Sequence, residues 1–181
     1  RQDFGRLNAD KDSYGVPRSK SIQTTPAHQL ALAAVYYSPL QYMYWYDKPS
    51  DSQDEPELKF FDDVYTTWDD TKVLQGEVGE FITIARRKGE EWFIGSITNN
   101  EKRVLSVSLD FLPEGKNYIA EIYTDGDKSV KTRTKVRVST YRVSNKTKLN
   151  FCLKASGGGA VRLVPDDGNI KSVKNYKQQR L

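Results

Sequence analysis

The 181-residue chain holds one cysteine, one histidine and one methionine, and each scarcity removes a class of chemistry. With only Cys152, no internal disulfide can form. Its setting, LNFCLK, predicts a small buried residue rather than a nucleophile. His28, the sole histidine, leaves no metal site built on several histidines and no Ser/His triad that does not use it. It falls in the first turn of an apolar helix and reads as a packed or capping residue. No apolar run approaches the roughly 20 residues of a membrane-spanning helix, so no membrane partner is expected. The opening residues, RQDFGRLNADKDSYG, contain no initiating Met and no apolar stretch of the signal-peptide kind. The chain is therefore expected to be a processed product or a piece of a longer protein.

Charge of one sign is also in short supply. Lys and Arg total 28 against 24 Asp and Glu, a net charge of +4. The basic excess gathers in residues 128–142 and 171–180, without the interleaved aromatics on which nucleic-acid bases stack. These segments read as a solvated strand face and a solvated tail, so the pI of about 9.0 points to no nucleic-acid partner. Mean hydropathy is low at −0.70. Eleven tyrosines and three tryptophans nevertheless supply amphipathic surface for a core.

Residues 1–23 are polar and aperiodic and read as a loop. A helix start follows: Thr24 or Thr25 offers a capping hydroxyl and Pro26 takes the first helical position, where its missing N–H is not needed. Leu30, Ala31, Ala34 and Val35 recur at helical spacing, and Ala27, Ala31 and Ala34 give a small-residue face suited to lying close on a sheet. Ser38-Pro39 should end the helix. Residues 40–46 (LQYMYWY) then read as a strand buried on both faces. A parallel strand of that kind needs neighbours, and none of the later segments suits the role. A short second helix is expected over residues 57–64.

From Trp68 onward the pattern becomes short alternating segments: 81–86, 92–98, 104–109, 118–123, 130–138, 148–153 and 161–164. Turn chemistry separates them at Lys88-Gly89, Asn99-Asn100, Pro113-Glu114-Gly115 and Asp125-Gly126-Asp127. This is the signature of an antiparallel sandwich. The expected organisation is a loop over 1–23, an α/β unit over 24–65, a β-sandwich over 66–164 and a frayed or appended tail over 165–181.

Candidates for chemistry are few. Glycoside hydrolysis needs two carboxylates at a controlled separation. The adjacent acids Asp54-Glu55, Asp62-Asp63, Asp69-Asp70 and Glu90-Glu91 read instead as helix starts and solvated turns, with side chains sent apart. Gly157-Gly158-Gly159 lacks the Lys-Ser/Thr and helix of a phosphate loop and reads as a turn. Asp47 would sit at the C-terminal end of the strand over 40–46, beside Trp45, Tyr46 and Lys48. There an aromatic platform and a carboxylate could meet a sugar; a strand-ending Asp beside core aromatics is the other reading.

The runs TTPAHQLALAAVYYSPLQ (24–41), EPELKFF (55–61), TTWDDTKVLQGEVGEFITIARRKGEEWFIGSIT (66–98) and IYTDG (122–126) resemble the C-terminal part of glycoside hydrolase family 97. The resemblance implies a parent with an N-terminal β-sandwich, a central (β/α)8 barrel and a C-terminal β-domain, acting on terminal α-linked sugars. Residues 24–65 would then be the last helix, strand and helix of the barrel, with the catalytic carboxylates and calcium ligands upstream. It implies no catalytic or metal residue in this chain, calcium in the intact enzyme, and Trp45, Tyr46, Asp47 and Lys48 at most lining the sugar pocket. The implied partners are an oligosaccharide substrate, the remainder of the barrel and a homo-oligomer, in a periplasmic or secreted setting. Residues 41–53, QYMYWYDKPSDSQ, are longer and more aromatic than the matching segment of the family's glucosidases, which leaves glucose and galactose both open. A non-catalytic carbohydrate-binding or assembly module is the alternative.

Overall fold

The computed structural model describes residues 23–41, 45, 55–169 and 172–177. Helix α1 is Pro26–Val35, opened as the sequence predicts: Thr25 is the N-cap and its hydroxyl accepts from His28 N at 3.2 Å. It ends at Val35, three residues before Ser38. The reason is Arg86, a buried strand residue whose Nε donates to Ala34 O at 2.5 Å and whose Nη2 donates to Val35 O at 2.8 Å. The guanidinium thus supplies both a charge and donors where the helix leaves carbonyls unpaired.

The expected strand over 40–46 is not borne out at its start. Leu40 is 72% exposed and Gln41 is not in a strand; residues 42–44 and 46 lie outside the described ones. Strand propensity needs a pairing partner, and no described strand lies alongside. After a 3₁₀ turn at Pro56–Leu58 comes α2, Lys59–Asp63, which buries Phe60 completely against the rings of Phe93 and Tyr123.

Among the described residues eight strands follow: β1 Asp70–Glu77, β2 Phe81–Lys88, β3 Glu91–Thr98, β4 Arg103–Ser108, β5 Asn117–Asp125, β6 Val136–Ser144, β7 Lys148–Leu153 and β8 Gly158–Pro165. They form a six-stranded sheet in the order β1-β2-β3-β8-β5-β6 and a two-stranded sheet β4-β7, with antiparallel pairing throughout. One core lies between the sheets, with Trp92, Ile94, Ala120 and Val161 facing Leu105, Val107, Leu149 and Phe151. A second lies on the outer face of the larger sheet, where α1 and α2 cover Phe93, Tyr123 and Ala160. The all-β character expected from residue 66 is therefore present, with helices on one face.

Several expectations are corrected. β1 was not anticipated, because an edge strand needs no alternation of burial and its DTKVLQGE carries little. The strand expected over 130–138 instead runs from Val136 to Ser144. Lys135 adopts a φ of 57°, and Gly126 N donates to Lys135 O at 2.8 Å, so the preceding residues close a loop. Cys152 is exposed, not buried: Leu149, Phe151 and Leu153 take the inner face, and a period of two sends Cys152 outward. Gly158 and Gly159 belong to β8 rather than to a turn. The C-terminal segment is not wholly frayed. Arg142 N donates to Lys174 O and Tyr176 N to Arg142 O, both at 2.9 Å, and the Tyr176 hydroxyl accepts from Asn150 N at 3.0 Å.

The approach of α1 to the sheet is set by two glycines. A Cβ on Gly95 would fall 2.5 Å from Ala31 O, and one on Gly158 would fall 2.5 Å from His28 Cα. Gly95→Ala should therefore lower stability by about 2 kcal/mol, the usual cost of overpacking. Urea unfolding measures it; a loss below about 0.5 kcal/mol, the range of neutral surface changes, would mean that the helix can withdraw freely.

Candidate functional site

The side chains with chemical potential gather where the helices meet the larger sheet. His28 lies against β8 with Nδ1 3.1 Å from Gly157 O, an arrangement in which Nδ1 carries the proton and donates. Burial lowers its pKa below the ordinary imidazole range, opposed by Gly157 O, Asp125 and the Ser156 backbone. It is the packed histidine that the sequence suggested.

Glu55, read from sequence as a solvated helix-start acid, is buried, and so is Glu57. Glu55 takes the Trp45 indole N–H at 3.2 Å and pairs with Arg133 at 3.0 Å. Glu57 accepts from the Thr134 hydroxyl, and burial raises its pKa, with nearby Glu55 adding to the shift. Its Oε2 has no hydrogen-bond partner among the described residues. Trp45 itself is buried, edge-on to Phe61 with ring centroids 5.4 Å apart. Tyr46, Asp47 and Lys48, the other candidate pocket residues, lie outside the described residues.

A second cluster joins α2 to three strands. Arg162 on β8 reaches Asp63 at 2.7 Å, Glu91 at 2.8 Å and Glu121 at 3.6 Å, while Lys59 pairs with Asp63 and with Glu121. Asp63 and Glu91 thus do more than cap a helix or border a turn. Sequence reading missed Arg162 and Glu121 because nothing local marks them; they meet Asp63 across 99 and Lys59 across 62 residues of chain. Asp69 stays exposed and accepts from Gly89 N and Lys88 Nζ, which hold its pKa below the usual carboxylate range.

A hydrolytic pair would need one carboxyl free to donate a proton and another facing a substrate or water across open space. Here each clustered acid is engaged with a cation or a hydroxyl that ties one element to another. Among the described residues no group of three or more His, Cys, Asp or Glu could hold a metal ion. The arrangement holds elements together.

Residues 67–164 match the family model described as glycosyl-hydrolase 97 C-terminal, oligomerisation. The chain belongs to glycoside hydrolase family 97, as its C-terminal part. It is 34% identical over 158 residues to a retaining α-galactosidase of Bacteroides thetaiotaomicron, a match over 86% of this chain and 23% of that protein. A family 97 enzyme from Pseudoalteromonas sp. strain K8, solved with acarbose, superposes with a TM-score of 0.75 at 35% identity, covering 91% of this chain and 25% of that one. A β-arabinopyranosidase, at 24% identity and a TM-score of 0.64 over 88% of this chain and 24% of its own, shares the fold. The family 97 chain thus spans about a quarter of the length of the relatives it matches.

The depressed His28 pKa carries a sign. The unfolded chain binds a proton near pH 6.5 that the folded chain resists, so stability is full above that value and declines as pH falls through it. Thermal unfolding at pH 7.5 and 5.5 should show a larger drop for the wild type than for His28→Gln. Equal drops in the two proteins would assign the pH dependence to other groups.

Proposed function

We propose that this chain is the C-terminal portion of an exo-acting α-glycosidase that removes terminal α-linked glucose or galactose. Residues 24–65 close the (β/α)8 catalytic barrel, residues 66–164 form a supporting and oligomerising β-domain, and the parent works in the periplasm or outside the cell. The observation that carries this reading is the family match over 67–164, joined to a helix-to-sheet seam whose acids are all engaged in holding elements together. Tyr46, Asp47 and Lys48 would be the residues of this chain nearest the sugar pocket. Trp45, fixed by Glu55 and Phe61, would anchor that segment rather than touch the sugar.

On this reading the two carboxylates of the hydrolytic step and the calcium of the intact enzyme come from the upstream part. The described residues offer no ligand set for that ion. What this chain would contribute to catalysis is position: the six-stranded sheet holds α1 and α2 in place. Purified residues 1–181 should not hydrolyse aryl α-glucosides or α-galactosides, whereas the same chain joined to its upstream region should. Turnover by the chain alone would overturn the assignment.

A carbohydrate-binding module is the second reading, and one cleft favours it. Between β6 and β7, walled by the C-terminal segment, a cleft of about 770 Å³ brings Tyr141, Tyr176, Ser139 and Lys177 together. The volume suits a small ligand, and half-buried rings beside hydroxyls suit a sugar. Calorimetric titration with neutral and acidic oligosaccharides should show saturable binding that Tyr141→Ala reduces at least tenfold. Absence of heat with both classes would leave the domain as a support.

A further inference from the structure

The two edges of the six-stranded sheet are finished differently. On the β6 side, the C-terminal segment bonds to Arg142 from outside, through Lys174 and Tyr176. On the β1 side, among the described residues, nothing pairs with the strand, and its outer backbone groups face away from β2. A bare edge eight residues long is a template for another strand.

Next to this edge lies an exposed apolar groove. Val73, Val78, Ile82 and Ile97 line it, with Gly76 and Phe81. Val73 is 67% exposed, and Val78, at the tip of the β1–β2 turn, is fully exposed.

The residues of β1 complement themselves when the strand is turned through a two-fold axis. A bulge between Val73 and Gln75 changes the parity of the strand. Lys72 and Glu77 consequently share one face, opposite Ala85 and Phe81 of β2, while Val73 and Gly76 share the other, opposite Ile84 and Ile82. Antiparallel pairing of β1 with itself, centred between Leu74 and Gln75, sets Lys72 of each copy against Glu77 of the other. The same register sets Val73 of each copy against Gly76 of the other, where the missing side chain leaves room in the groove. Opposite charges on one face and a side chain against a gap on the other both favour this register.

We propose that a second copy of this chain docks on the β1 edge, forming a closed two-fold dimer in which two six-stranded sheets join into one. This rests on the oligomerising role proposed above and names the surface that performs it. Because both bare edges are consumed and the β6 edges are capped, the contact closes at two copies and does not propagate.

Sedimentation velocity across a dilution series, with circular dichroism to verify folding, tests it. The wild-type chain should sediment as a dimer. Lys72→Glu and Glu77→Lys, each creating two like-charge contacts across the axis, should weaken dimerisation at least tenfold. The double variant, with the charges exchanged, should return to near wild-type dimerisation. A wild-type dimer indifferent to both single changes would overturn this surface and leave the oligomerising role standing. A wild-type chain that stays monomeric throughout would overturn both.

Discussion

The near contact between helix α1 and the six-stranded sheet is the constraint on which the rest depends. Two strands meet the helix at glycines, one on β3 and one on β8, and neither position leaves space for a methyl group. At that distance the alanines of the helix pack directly on the backbone of the sheet, so Ala27, Ala31 and Ala34 are almost wholly buried. The ends of the helix are then tied to the same sheet. Thr25 N donates to Ser156 O at 3.1 Å at one end, and Arg86 takes the last carbonyls at the other. A helix of ten residues has little stability of its own. Here it is held at both termini and along its face.

The second helical element is fixed by charge rather than by close approach. Arg162 and Lys59 are set among Asp63, Glu91 and Glu121, so α2 is clamped to β3, β5 and β8. The buried Glu55 and Glu57 perform a similar task against Arg133 and Thr134. Carboxylates that from their sequence could belong to a reaction centre are thereby committed to structure.

Much of the architecture was legible because it is local. The cap at Thr25, the proline at the first helical position, the turns at Gly89 and Gly115 and the strand over 148–153 all follow from neighbours in sequence. The features that escaped are set at long range. Glu55 is buried because Arg133, 78 residues away, lies against it, and the helix ends at Val35 because Arg86 arrives from β2. Cys152 shows a subtler failure: alternation was visible in LNFCLK, but which phase faced inward depended on Leu149 and Phe151 meeting the opposite sheet. Of the candidate pocket residues only Trp45 is described, and its indole N–H turns to a carboxylate whose burial the sequence did not reveal.

The place of β8 has a consequence for how the chain folds. Of the described strands, the last in sequence lies in the middle of the larger sheet, between β3 and β5. Until it arrives, the sheet exists as two halves, β1-β2-β3 and β5-β6, each with an open inner margin. The bed for α1 is also incomplete, since part of it is β8 itself. The helix is thus far in sequence from β8, as the 129-residue span between His28 and Gly157 shows. Chains with contacts this distant fold slowly, and unpaired strand margins are prone to stick to one another meanwhile. During synthesis β8 follows the other strands of its sheet, so the surface that β3 offers the first helix is completed only when β8 arrives.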